Sequence, residues 1–146
     1  MSMIHRKCQV PYSADKMYAL VNHIEQYQQF LPWCKSSKVL SRTEDEVRAT
    51  LVLAAGGLHK SFTTCNRLQH NKMIEITLVH GPFHQLEGFW LFHDEGPRSC
   101  TIQFDLEFEF SSKIISMAFA PVFHQVANTL VDAFAKRAQT LYGKNP

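Results

Sequence analysis

Eight histidines and four cysteines are spread along this chain, and their spacing decides what chemistry they can do. His80 and His84 stand four apart, the offset at which two imidazoles on one helical face share a metal ion. Gly81-Pro82 lies between them and breaks any helix there, so that offset is lost. The other histidines are scattered, and no metal or other cofactor is expected. Cys8, Cys34, Cys65 and Cys100 form no C-x-x-C pair and read as buried, reduced thiols of a cytosolic protein. Acid–base catalysis needs a titratable group inside a pocket. Asp105, Glu107 and Glu109 alternate with large apolar residues and so point away from an interior. Arg6 shares a strand face with Ile4, Cys8 and Val10, and Arg67 shares one with Thr63 and Cys65. Each reads either as reaching the interior or, by preference, as a solvated strand residue near an edge or mouth. There is no nucleophile elbow, P-loop or dinucleotide fingerprint. The chain offers no catalytic residue and reads as non-enzymatic.

What remains is the chemistry of apolar surface. Residues 101–110 run Thr-Ile-Gln-Phe-Asp-Leu-Glu-Phe-Glu-Phe. Strand side chains alternate between faces, so one face is a wall of Ile102, Phe104, Leu106, Phe108 and Phe110 while the other is wet. From Ile114 the period becomes helical. Ile115, Phe119, Val122, Val126, Leu130, Phe134 and Leu141 then fall on one stripe. Pro121 interrupts this pattern, and predicts a kink or a break close to Phe119 and Phe123.

The elements that position these surfaces are legible upstream. Residues 4–10 read as a strand ended by Pro11. Ser13 suits a helix N-cap, Asp15 its first turn, and Met17, Leu20, Val21 and Ile24 its apolar stripe. A helical turn over 25–31 stops before Pro32. Strands are expected over 37–42, 47–53, 58–68, 74–80 and 86–92, with Ala54-Ala55-Gly56-Gly57 as a hairpin connection or bulge. Of these, 58–68 alternates least cleanly. The order is one strand, two short helices, six strands and a long helix. This is an α+β fold: a curved antiparallel sheet gripping the C-terminal helix.

Composition sets the outer limits. With 146 residues, 45% of them hydrophobic and 19% charged, the chain is expected to form one globular domain over 1–146. No apolar run approaches the ~20 residues of a membrane span, and no secretory signal is expected. A net charge of +2 is weak, and DNA is not an expected partner.

A concave sheet covered by one helix leaves a space that one helix does not fill. Such pockets are mostly apolar with a few orienting polar groups. The candidate lining is Phe30, Trp33, Leu51, Phe62, Ile76, Phe83, Gly88, Trp90, Phe104, Leu106, Phe108, Phe119, Phe123, Val126 and Leu130. Gly88 earns its place because a glycine inside a strand often marks close approach of a ligand or of backbone. The segment Tyr27-Gln28-Gln29-Phe30-Leu31-Pro32-Trp33-Cys34 reads as a lid, a membrane-touching patch or a packed loop.

Several stretches carry a resemblance to a known family. They are Val10-Pro11-Tyr12-Ser13-Ala14, Met17-Tyr18-Ala19-Leu20-Val21, the segment 27–34, Gly81-Pro82-Phe83, and Leu86-Glu87-Gly88-Phe89-Trp90-Leu91-Phe92. Residues 104–110 and Phe123-His124-Gln125-Val126-Ala127, running on to Phe134 and Arg137, complete the set. Together they resemble the START-like, polyketide-cyclase-like superfamily, in its branch of bacterial ribosome-association toxins and mitochondrial coenzyme Q-binding proteins. The resemblance covers essentially the whole chain and implies the helix-grip fold. It implies a hydrophobic small-molecule ligand, foremost a polyprenyl quinone such as ubiquinone bound in support of respiration. The alternatives it implies are a toxin that binds the 50S ribosomal subunit and a polyketide-cyclase-like enzyme. A basic surface for the ribosomal reading is modest: Arg6-Lys7, Lys35, Lys38 and Arg42. The expected location is the bacterial cytoplasm, with transient contact at the inner membrane surface.

Overall fold

Seven strands form a single antiparallel sheet in the computed structural model, which describes residues 1–55 and 57–143. The strands are β1 (Ser2–Val10), β2 (Cys34–Arg42), β3 (Glu46–Ala55), β4 (Leu58–Gln69), β5 (Met73–His80), β6 (Phe83–Asp94) and β7 (Cys100–Phe110). Their spatial order is β1-β7-β6-β5-β4-β3-β2, so β2 to β7 form a meander and β1 adds to the side of β7. Between β1 and β2 lie α1 (Ala14–Asn22), a 3₁₀ turn at Ile24–Gln26 and α2 (Tyr27–Phe30). The chain ends in α3 (Lys113–Tyr142). All seven strands and three helices foreseen in the sequence are present, in the foreseen order.

The wall on β7 is buried as its alternation requires: Ile102, Phe104, Leu106 and Phe108 face in, with Trp90 and Phe92 beside them on β6. Ser13 precedes α1 with extended backbone, but its side chain makes no capping bond to the helix. At the far end, Ser112 caps α3 by accepting from the Ile115 amide at 3.2 Å. The β3–β4 hairpin pairs out to Ala55 and Leu58; Gly56 lies outside the described residues, and Gly57 takes φ +86°, which favours glycine.

Three expectations about the helix change. Of the kink or break expected at Pro121, the break is absent: α3 runs on through it as one element. The carbonyl four residues back belongs to Met117, which is 81% exposed, so water can replace the missing amide. The stripe also drifts: Val131 and Ala138 are buried, whereas Leu141 is 47% exposed. Thirdly, α3 is by length and composition alone long and apolar enough to cross a bilayer, because residues 114–131 carry no Asp, Glu, Lys or Arg. Here its inner face covers the sheet with Phe119, Phe123, Val126, Ala127, Val131 and Phe134. Ile114 and Met117 stay exposed on the outside.

Phe134 should therefore hold far more stability than Leu141, although both are large apolar residues of the same helix. Phe134→Ala removes a fully buried ring and should cost about 3–5 kcal/mol in denaturant unfolding. Leu141→Ala should change stability by less than ~0.5 kcal/mol. Comparable losses for the two would mean that α3 is not gripped as described.

Candidate functional site

The inner face of the sheet, α3 and the two short helices enclose a cavity of about 90 Å³. Val21, Ile24 and Tyr27 close one side. The sheet contributes Ala49 and Leu51 from β3, Phe62, Thr64 and Asn66 from β4, and Ile74 and Ile76 from β5. Leu86 and Trp90 of β6 and Phe104 and Leu106 of β7 continue the wall. Trp33 and, on α3, Phe123, Val126, Ala127 and Leu130 complete it. Drug-sized ligands occupy pockets of roughly 300–1,000 Å³, and an engineered apolar cavity of ~150 Å³ admits benzene. The space here is smaller than both.

Two aromatic clusters bound the cavity. At one end Phe123 meets Phe108 at 4.7 Å and Phe83 at 5.1 Å between ring centroids, and Phe83 stacks on Phe110 at 4.8 Å. At the other, Phe134 meets Trp90 and Tyr27, both at 5.3 Å, and Phe30 at 5.5 Å. Most of these pairs are edge-on or tilted, the arrangements aromatic quadrupoles favour.

This geometry sorts the candidate residues. Trp33, Leu51, Phe62, Ile76, Trp90, Phe104, Leu106, Phe123, Val126 and Leu130 lie on the cavity wall. Phe83 and Phe108 stand behind Phe123 in the first cluster, and Phe119 is buried in the core, off the wall. Phe30 packs on Phe134 with the Arg137 guanidinium 4.9 Å above its ring. Of the two close approaches its position suggested, ligand or backbone, Gly88 shows that of backbone. A side chain there would collide with the Asp105 carbonyl oxygen and stand 3.0 Å from Leu106 Cα. Glycine is required by the closeness of β7, and the Leu106 side chain fills the space beside it.

The charged strand residues lie elsewhere. Arg6 reaches Asp132 on α3 at 3.4 Å, and Arg67 is exposed on the outer face of the sheet. Arg42, counted above in a basic patch, bonds Glu25 at 2.8 Å and the Asn22 carbonyl at 3.3 Å, tying β2 to the short helices.

Sequence reasoning missed Thr64 and Asn66. Both are buried, and the Thr64 hydroxyl donates to Asn66 Oδ1 at 3.3 Å. The uneven alternation of 58–68 was their signal: Phe62 shares its inward face with two polar residues. Among the described residues no Asp, Glu, Lys, Arg or His is on the wall. The buried Tyr27 hydroxyl donates to the Val21 carbonyl, and burial pushes its pKa far up, so it stays neutral.

This arrangement can hold a neutral apolar molecule and give it a small number of hydrogen bonds. The chain belongs to the family described as polyketide cyclase / dehydrase and lipid transport, whose pattern it matches over residues 10–135. A ribosome association toxin RatA from Pseudomonas aeruginosa is 43% identical over 140 residues, covering 96% of this chain and 97% of that protein. A mitochondrial coenzyme Q-binding protein COQ10 from Dictyostelium discoideum is 27% identical, covering 94% of this chain and 69% of that one. Among solved structures, a START superfamily protein from Mycobacterium smegmatis superposes with a TM-score of 0.75 at 23% identity, over 95% of this chain and 98% of that one. The START-like, helix-grip architecture is thus shown, together with the family.

Two thiols report on how dry the interior is. Burial raises Cys34 from its ordinary 9.0 to about 11, and Cys100 from 9.0 to about 12. The folded state holds these protons more tightly than the unfolded chain does. Their contribution to stability is complete below pH 9 and is lost as pH rises toward the folded values. Unfolding midpoints should be flat up to about pH 8 and fall above 9. At pH 8 a disulfide reagent should modify Cys34 and Cys100 only after denaturation. Rapid labelling of either thiol in the native protein would contradict this.

Proposed function

We propose that this protein is a non-enzymatic carrier of a hydrophobic small molecule held between the sheet and α3, with a polyprenyl quinone such as ubiquinone as the ligand, in support of respiration. The observation that carries the reading is the wall itself: apolar apart from Thr64, Asn66, the indole N–H groups and a Tyr27 hydroxyl already bonded to the Val21 carbonyl, and with no Asp, Glu or His among its described residues to serve cyclase chemistry. The likeness to a coenzyme Q-binding protein supports the choice of ligand. At about 90 Å³ the closed cavity takes only a fragment of such a molecule, so loading requires the wall to part. Its half-buried members, Trp33, Leu51, Ile76 and Leu130, are where we place the opening. This makes the connection from α2 to β2 the lid, with peripheral membrane contact there during loading.

A short-tailed ubiquinone should raise the melting temperature saturably, since a ligand that binds only the folded state stabilises it. In a Trp33→Phe background it should also quench Trp90 emission. Ala127→Leu grows a side chain from α3 into the cavity and should abolish both responses, at ~1–3 kcal/mol of overpacking cost. Responses unchanged in Ala127→Leu would rule out this cavity as the site.

A second reading rests on a different observation, the 43% identity to a relative named as a ribosome association toxin. Lys38, Arg48 and Arg67 lie on the outer face of β2 to β4, with Lys35 at the start of β2, and this face suits RNA phosphates. Affinity for isolated 50S subunits should then fall steeply between 50 and 200 mM salt, by counterion release. Lys35→Glu/Lys38→Glu should weaken it without unfolding the protein, whereas Arg42 is unsuitable for the test because it anchors Glu25. Failure to co-sediment with 50S at any salt would remove this reading.

A further inference from the structure

The side chains of Thr64 and Asn66 are more than nine-tenths buried, at 7% and 8% exposure, in a wall that is otherwise apolar. They stand two apart on β4 and so face the same way. Thr64 pairs with Ala49 and Leu78 on the flanking strands, and Asn66 with Val47 and Ile76. A carboxamide offers two N–H donors and two acceptor positions. The single hydrogen bond of this one is accepted by its oxygen from Thr64; its amide nitrogen has no partner among the described residues and, unlike Asn22 Oδ1 and Arg137 Nε, is not fully enclosed, on a residue that lines the cavity. Buried polar groups of folded proteins are nearly always paired.

We propose that the unpaired Asn66 amide reads a carbonyl oxygen, so that the ligand class is a neutral ring ketone or quinone that enters carbonyl first, with any tail trailing toward the opening. This rests on the binding reading above and specifies its ligand. The wall is rich in donors: the Asn66 N–H groups and the indole N–H of Trp90 can only give, while the Thr64 hydroxyl already spends its hydrogen on Asn66. A carbonyl accepts and has no hydrogen of its own to leave unpaired. A carboxylate would be buried with no cation on the wall, which is far costlier. A fatty acid head is therefore excluded from the inner end, and a plain hydrocarbon forfeits the hydrogen bond.

Three probes of nearly one shape separate these cases: acetophenone, α-methylstyrene, in which CH₂ replaces the oxygen, and benzoate. Calorimetry on the intact protein should show acetophenone binding about tenfold tighter than α-methylstyrene, as one neutral hydrogen bond allows. Benzoate should give no heat of binding. In Thr64→Val/Asn66→Leu the preference should fall to about one while α-methylstyrene still binds, which also shows that the variant is folded. Equal affinities in the wild type would overturn the carbonyl inference and leave the cavity reading intact. A preference that survives in the double variant would overturn it too. If no probe binds the wild type, the cavity reading itself fails. The wild-type comparison decides the matter even if the double variant does not fold.

Discussion

Phe123 and Phe134, about three turns apart on α3, are the two points at which the helix is pressed onto the sheet. Each enters an aromatic cluster, Phe123 among Phe62, Phe83 and Phe108, Phe134 among Tyr27, Phe30 and Trp90. Between them the helix presents Val126, Ala127 and Leu130, which are shorter. The rings prop the helix off the sheet like two piers, and the shorter side chains do not reach across the span. The cavity thus lies where the helix side chains between the two rings are short.

The same construction explains why family membership settles the architecture more firmly than the activity. Binding and catalysis can share one fold, because function resides in the groups that line its site. In this chain β4 turns two uncharged polar residues, Thr64 and Asn66, toward the space, whereas proton transfer calls for a titratable group such as a histidine or carboxylate.

Much of this was legible from pattern alone. The β7 wall and the switch to helical period at α3 follow from side-chain geometry that the sequence displays directly, and the strands came out in order for the same reason. The site was harder, because lining a cavity and filling a core demand the same residue types. Phe83, Phe108 and Trp90 are indistinguishable by composition, yet only Trp90 reaches the space. Gly88 shows the limit more sharply. Its small size answers to β7, a partner strand 18 residues away along the chain in register with Leu106, and no local signal names that partner. Arg42 looked like surface charge until the short helices were placed beside it. Leu141 fell on the stripe only because a straight helix was assumed to meet a sheet of unlimited length.

The pairing of β1 with β7 joins the opening residues of the chain to some of the last, Ser2 opposite Phe108 and Val10 opposite Cys100. During synthesis β1 must wait for the five strands β2 to β6 to be made before its neighbour β7 exists. The meander β2 to β6 can zip up as it appears, but its greasy side remains bare until the final 30-residue helix is released. Vectorial synthesis therefore leaves first an unpaired β1 beside the growing meander, and then, once β7 is made, a sheet still uncovered by α3. Non-local pairing of this kind is slow and exposes sticky surface. Termination between the end of β7 and α3 would release a chain with every strand made and no helix to shield it, a natural client for chaperones and proteases.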